Sequence, residues 1–310
     1  CLKTQKENKE KEKIIVAGVN DPTIKKPTKV EWVKSKYFPE TDYHQPGGLY
    51  KPYPLELVIE NPRRQQFGVE VSCSFANTKN KESFPGVVKG GIEFSGSITD
   101  PTAALLTING EKVSKTVICS VPEGKELNGK YTINYTAVLK GLNTKSRLAR
   151  AFIGTKDEKW KEENIQKILS AHFPGSTGIS QAPADLARLN FGFGNNPDNP
   201  IIEGDSNLIL SAMVEDGGKG KILTINSYRI NLDGFGVDDS EAKCLQGLAL
   251  PVKTTSKYSQ DVYIPSCFIT SLPPELANPS AYEFREFEGE INYDYLLTKD
   301  VGIEVNLLES

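Results

Sequence analysis

The stretch Phe67-Gly68-Val69-Glu70-Val71-Ser72-Cys73-Ser74-Phe75 alternates residue by residue. Val69, Val71, Cys73 and Phe75 face one way, while Glu70, Ser72 and Ser74 face the other. A period of two is what an antiparallel strand with one buried face requires. The pattern recurs through Tyr131, Ile133, Tyr135, Ala137 and Leu139, and again through Phe287, Gly289, Ile291, Tyr293, Tyr295 and Leu297. Shorter strand-like runs lie around these anchors at 55–59, 91–98, 104–108, 116–121 and 148–153. A second series lies at 207–214, 221–230, 262–270 and 301–307. Asn109-Gly110 predicts a hairpin turn, because type I′ turns need positive φ at both central residues. Asp216-Gly217-Gly218 predicts another turn, as does the polar Asn143-Thr144-Lys145 ahead of a last strand; Thr298-Lys299-Asp300 holds the matching place in the second half. About seven short strands in the first half and a second series in the other, with regular turn signals, predict a mainly β chain. The expected fold is two immunoglobulin-like antiparallel β-sandwich domains with a short helical connector.

The domains expected from this pattern are 51–154 and 201–310. Residues 1–50 precede them as a tether and 155–200 join them. In the connector, Thr155 and Glu158 have capping-box spacing. Trp160, Ile165, Ile168 and Leu169 form a helical stripe, and Pro174-Gly175 ends it. A shorter helix is expected over 182–189, then a loop over 190–200. In the tether, residues 3–13 are charged or polar, and Ile14, Ile15, Val16 and Val19 form an isolated strand candidate. Val30, Trp32 and Tyr37 are candidate anchors on a domain surface, and 44–54 reads as an entry loop.

Five cysteines occur: Cys1, Cys73, Cys119, Cys244 and Cys267. Setting Cys1 aside leaves two in each half, which indicates one disulfide per domain and an oxidising setting. Cys1 followed by a polar tether fits the product of lipoprotein processing, with lipid on the sulfur and hence membrane attachment. Hydrophobic content of 38% and charged content of 25% describe a folded, soluble chain. The net charge of -3 gives no electrostatic reason to expect nucleic acid as partner. No apolar run is long enough for a membrane span.

Catalytic and metal-binding patterns are sparse in the sequence. The two histidines, His44 and His172, read as surface side chains, too few for a multi-histidine metal site. The cysteines lack zinc spacing, and no Gly-x-Ser-x-Gly elbow or phosphate loop is present. Asp233, Asp238, Asp239 and Glu241 form a weak Ca²⁺ candidate whose spacing departs from the EF-hand loop; a solvated loop is the competing reading. Asn134-Tyr135-Thr136 is a glycosylation acceptor if Asn134 faces solvent while Ile133 and Tyr135 point inward. No cofactor is expected.

The two halves also share an order: a Cys-bearing strand, a Pro-containing loop, then Thr132-Ile133-Asn134-Tyr135-Thr136 or Glu290-Ile291-Asn292-Tyr293-Asp294. Shared order and the Ile-Asn-Tyr triplet argue for a duplicated unit. With the Thr298-Lys299 step, the last strand and the passage from Leu189-Asn190-Phe191-Gly192-Phe193-Gly194 to Asn199-Pro200-Ile201-Ile202, the chain resembles tandem immunoglobulin-like domains of archaeal surface proteins. The resemblance covers mainly 185–308 and, more faintly, 55–153. It implies surface location and sandwich architecture, but no activity.

The expected function is therefore a non-catalytic extracellular structural or adhesive protein. It would be a filament or coat subunit that donates Ile14–Val19 to the sheet of a neighbouring copy or of another surface protein. The alternative is a monomeric lipid-anchored binding protein that uses the Tyr- and Gly-rich loop at 43–53.

Overall fold

The computed structural model describes residues 27–46, 48–89, 104–108, 110–154, 156–173, 185–194, 199–203, 208–238, 243–251, 261–277 and 282–308. Strand follows strand: β1 (Lys29–Lys34), β2 (Thr41–His44), β3 (Tyr53–Glu60), β4 (Phe67–Asn77), β5 (Ser83–Pro85), β6 (Val87–Lys89), β7 (Ala104–Ile108), β8 (Lys112–Ser120) and β9 (Gly129–Ile153). Helix α1 (Glu158–His172) intervenes. Then come β10 (Ala187–Phe193), β11 (Ile201–Glu203), β12 (Ile209–Asp216), β13 (Lys221–Asn231), β14 (Gly236–Asp238), β15 (Gln246–Pro251), β16 (Val262–Ser271), the short helix α2 (Pro274–Ala277) and β17 (Tyr282–Leu307).

Three sheets result. One four-stranded sheet has the order β1-β3-β8-β6 and a second has β10-β12-β16-β14. A nine-stranded sheet runs β15-β13-β17-β9-β4-β5, with β2, β7 and β11 on its margins. Both small sheets have the A-B-E-D order of an immunoglobulin-type sandwich. In each half the large sheet supplies the facing layer: β4 with β9 in the first, β13 with β17 in the second. Alternation sets the layers, with β4 buried at every second residue from Phe67 to Phe75. One continuous apolar core fills the space between the layers in both halves.

The closing strands depart from the expectation. β9 is 25 residues long and β17 is 26, and the two pair antiparallel from Tyr282–Ile153 to Val305–Gly129. Neither Asn143-Thr144-Lys145 nor Thr298-Lys299-Asp300 turns. Instead each lies opposite the Ile-Asn-Tyr segment of the other half: Asn143 opposite Asn292, and Asp300 opposite Asn134. The strand that would close the first unit therefore comes from the end of β17, and the strand that closes the second comes from the end of β9. The units have exchanged their last strands within one chain. β2 and β11 repeat the relation on the margins, β2 running parallel to the end of β17 and β11 parallel to the end of β9.

One residue keeps the crossing in phase. Along β9 the buried positions are odd up to Leu139 and even from Leu142 to Arg150, beyond which both faces are covered. The register slips by one between Tyr293 and Tyr295, opposite this point. Gly141, with φ 75°, occupies the bulge, a conformation that costs glycine little. Without the slip, every later residue of β9 would turn to the wrong face.

Other sequence expectations need correction. β1 and β2 are strands of the first sandwich, with Val30 and Trp32 in its core, so that unit begins well before residue 51. Residues 187–189 are strand, not helix, and Asn190–Phe193 continue β10 instead of forming a loop; pairing with β12 overrides a weak local helix signal. Asn109 lies outside the described residues, but Gly110 joins β7 to β8, which belong to different sheets, so the chain crosses between layers there and makes no hairpin. Helix α1 is capped by Asp157, whose side chain accepts from the Lys159 and Trp160 N–H groups; Thr155 lies outside the described residues. Trp160, Ile168, Leu169 and Phe173 seat α1 on Ala149, Ala151, Ile201 and Phe284, on the opposite face of the large sheet from the small ones.

Candidate functional site

The crossing of β9 and β17 gathers a concentration of buried polar groups. Asp185, just before β10, is 1% exposed. It accepts from the Thr28 N–H at 2.8 Å and the Thr144 hydroxyl at 2.8 Å, and pairs with Arg63 from the β3–β4 loop. Burial holds the Arg63 guanidinium below its ordinary value, as desolvation does to a buried cation. Gln65 reaches the Thr28 hydroxyl and accepts from the Asn143 N–H, while the Asn143 amide donates to Glu290. The Asn143 N–H and amide nitrogen and the Thr144 hydroxyl of the expected turn are thus taken by partners from both units. This is why Asn143-Thr144 stays extended.

Tyrosines line the same layer. The Tyr135 hydroxyl donates to the Tyr53 carbonyl, and the Tyr53 hydroxyl donates to buried Asp42. The Tyr293 hydroxyl accepts from the Ala187 N–H at 3.2 Å. Tyr295 donates to Asp216 at 3.0 Å and accepts from Gly220 N–H at 2.7 Å. Burial pushes all four phenols upward, so they keep their protons and serve as hydrogen-bonding posts between layers. Asp216 is also pushed up, first by burial, with Gly218 N–H and Tyr295 working against it.

Disulfides join the layers at two further points. Cys73 of β4 pairs with Cys119 of β8, and Cys244, ahead of β15, pairs with Cys267 of β16. Each bond lies within one half, and together they point to a non-reducing compartment. They are not equivalent in the duplicated plan, since the first uses the central strand β4 and the second a connecting segment. Gly86 lies against the first bond; a Cβ there would come within 2.6 Å of both sulfurs.

The remaining sequence candidates are dispersed. Cys1, Ile14, Ile15, Val16 and Val19 lie outside the described residues, as do Asp239 and Glu241. Asp233 sits in the turn after β13, accepting from Asn231, and Asp238 is on β14. Among the described residues no three acidic, His or Cys groups come together as a metal site. Asn134 does face outward between inward Ile133 and Tyr135, but its amide donates to Asp300 at 2.6 Å. His44 is buried, not superficial: its ring lies 4.2 Å from Tyr50, and its nitrogens face the Gln45 and Leu127 carbonyls. His172 contacts Tyr282 and Phe284.

Among the described residues, open surfaces include a groove in the first half and an aromatic patch in the second. A shallow groove of about 430 Å³ is lined by Tyr50, Lys51, Glu123, Lys125 and Glu126, beside the nearly fully exposed Leu49. On the outer face of the second small sheet, Tyr263 and Phe268 are 67% and 59% exposed, opposite Met213 and Ile209 respectively. Sequence reasoning missed Asp185, Arg63 and the fully buried Arg150, because a charged residue in a loop or strand carries no local sign of burial. Among the described residues no helix is long and apolar enough to cross a membrane. The chain matches no family model and no curated protein.

Proposed function

We propose that this is a non-catalytic extracellular structural or adhesive protein that assembles on a cell surface. The observation that carries the reading is the mechanical build: two disulfide-bonded sandwiches locked into one body by two long shared strands. Such a body transmits force along a continuous hydrogen-bonded sheet, and neither unit can separate without breaking the β9–β17 ladder. In this reading Cys1 carries the lipid and Ile14–Val19 is a donor strand for a neighbour. Acceptors for it are available: β1 pairs only with β3 and β10 only with β12 among the described residues, and an edge strand's unpaired N–H and C=O groups template a new strand.

Light scattering and electron microscopy of the native chain, beside an Ile15→Asp/Val16→Asp variant, test assembly. Ordered polymers from the native chain that the variant does not form support donation; monomers from both at every concentration refute it. A second reading, capture of a ligand by a monomer, is favoured by the groove beside Tyr50 and Leu49, and those monomers would be its signature. Intact mass of native material tests the lipid on Cys1.

A further inference from the structure

We infer that the exchange of closing strands within one chain also occurs between chains, so that a second copy of this protein is a partner through β9 and β17. This goes beyond donation of Ile14–Val19, which takes no part in it. The first unit (β1 to the first half of β9) lacks its own last strand; the end of β17 supplies it. The second unit lacks its own as well, and the end of β9 supplies that. Nothing in the paired geometry requires the two strands to belong to one molecule. β9 of one copy with β17 of another forms the same contacts: Asn134 on Asp300, Asn143 on Glu290, Arg147 on Glu288. Reciprocal exchange closes a dimer, and non-reciprocal exchange builds an open chain of alternating units.

The described part of the connection from β9 to β10 is mainly helix α1 (Glu158–His172). It packs on β9 and on Phe284 of β17, so in an exchanged assembly it would sit on a seam between copies. Because the contacts are the same in both forms, the balance is set by effective concentration. For a linked pair this is on the order of 1 mM. Dilute chains close on themselves, and chains crowded to that level, as on a coated surface, exchange.

The test uses the wild-type chain in natural-abundance and ¹⁵N-labelled forms, mixed in equal amounts. They are unfolded with disulfides intact, refolded, and joined by a zero-length carbodiimide coupling of lysine to carboxylate. Lys130 lies opposite Glu304 and Lys145 opposite Glu290, so both pairs report the ladder. At about 10 µM, roughly 1% of chains exchange; at about 1 mM, about half do, and roughly a quarter of the cross-linked peptides carry one light and one heavy partner. Same-isotope peptides alone at 1 mM overturn the inference. Folded chains held at 1 mM and warmed short of unfolding give the same readout without refolding. Donation by Ile14–Val19 would instead give mixed-isotope pairs involving residues before 27 and leave the β9–β17 pairs unmixed, so the two proposals fail separately.

Discussion

Asp185→Ala is expected to destabilise both halves at once. The carboxylate is sealed from solvent and holds Arg63, the Thr28 N–H and the Thr144 hydroxyl. Thr28 and Arg63 lie in the first unit, Asp185 opens the second, and Thr144 sits in the strand that passes between them. Removing one partner of a buried pair costs about 3–5 kcal/mol, because the other charge stays behind without compensation. The two lost hydrogen bonds are part of that figure in a network, not an addition to it. We therefore expect a loss of about 4 kcal/mol, a large share of a typical total of about 5–15 kcal/mol. Urea unfolding followed by circular dichroism measures it. Arg63→Met in the same chain should restore at least about 2 kcal/mol, since it removes the orphaned guanidinium. A loss under about 1 kcal/mol for Asp185→Ala, or strict additivity with Arg63→Met, would refute the reasoning.

Three further outcomes are expected. Replacing Cys73 and Cys119 by alanine should cost about 4 kcal/mol, and replacing Cys244 and Cys267 about 3 kcal/mol, since the chain-entropy term grows with loop length and the separations are 46 and 23 residues; denaturation midpoints check the order. Gly86→Ala should cost about 1–3 kcal/mol by forcing a methyl against the first disulfide, read as a lowered Tm. Asp216→Asn keeps an oxygen for Gly218 and Tyr295 but removes a charge that burial disfavours. A folded-state pKa raised above the unfolded one means the penalty is absent below the unfolded value and full above the folded one. Tm at pH 7 should thus rise by about 1–2 °C and stay level at pH 3, which calorimetry at both values checks.

Much of the layer plan is legible from alternation alone. Val69, Val71, Cys73 and Phe75 fall inside as their period requires, and the paired Ile-Asn-Tyr segments mark the duplicated unit. The exchange is not legible, because a polar triplet such as Asn143-Thr144-Lys145 has the composition of a turn. Only distant partners, Gln65, Asp185 and Glu290, make extended backbone the better solution. Thr298-Lys299-Asp300 misleads in the same way: its three side chains are exposed in mid-strand because they lie on the outer margin of the ladder. The buried charges were hidden for a related reason. Nothing near Asp185 or Arg150 in the sequence announces that other strands will cover them. His44 reads as a loop residue until β2 is seen to lie against the end of β17.

The continuous ladder between β9 and β17 is tested most directly by a chain carrying Asn134→Cys and Asp300→Cys. These positions face each other across the two strands and are joined by a hydrogen bond in the native protein. Opposed residues of an antiparallel pair have Cα atoms about 4.5–5.5 Å apart, within disulfide reach. Mild oxidation of the folded monomer should yield a 134–300 bridge on peptide mapping, with both native disulfides retained. Two free thiols in a folded, oxidised monomer would show that each unit closes with its own last strand and would contradict the account.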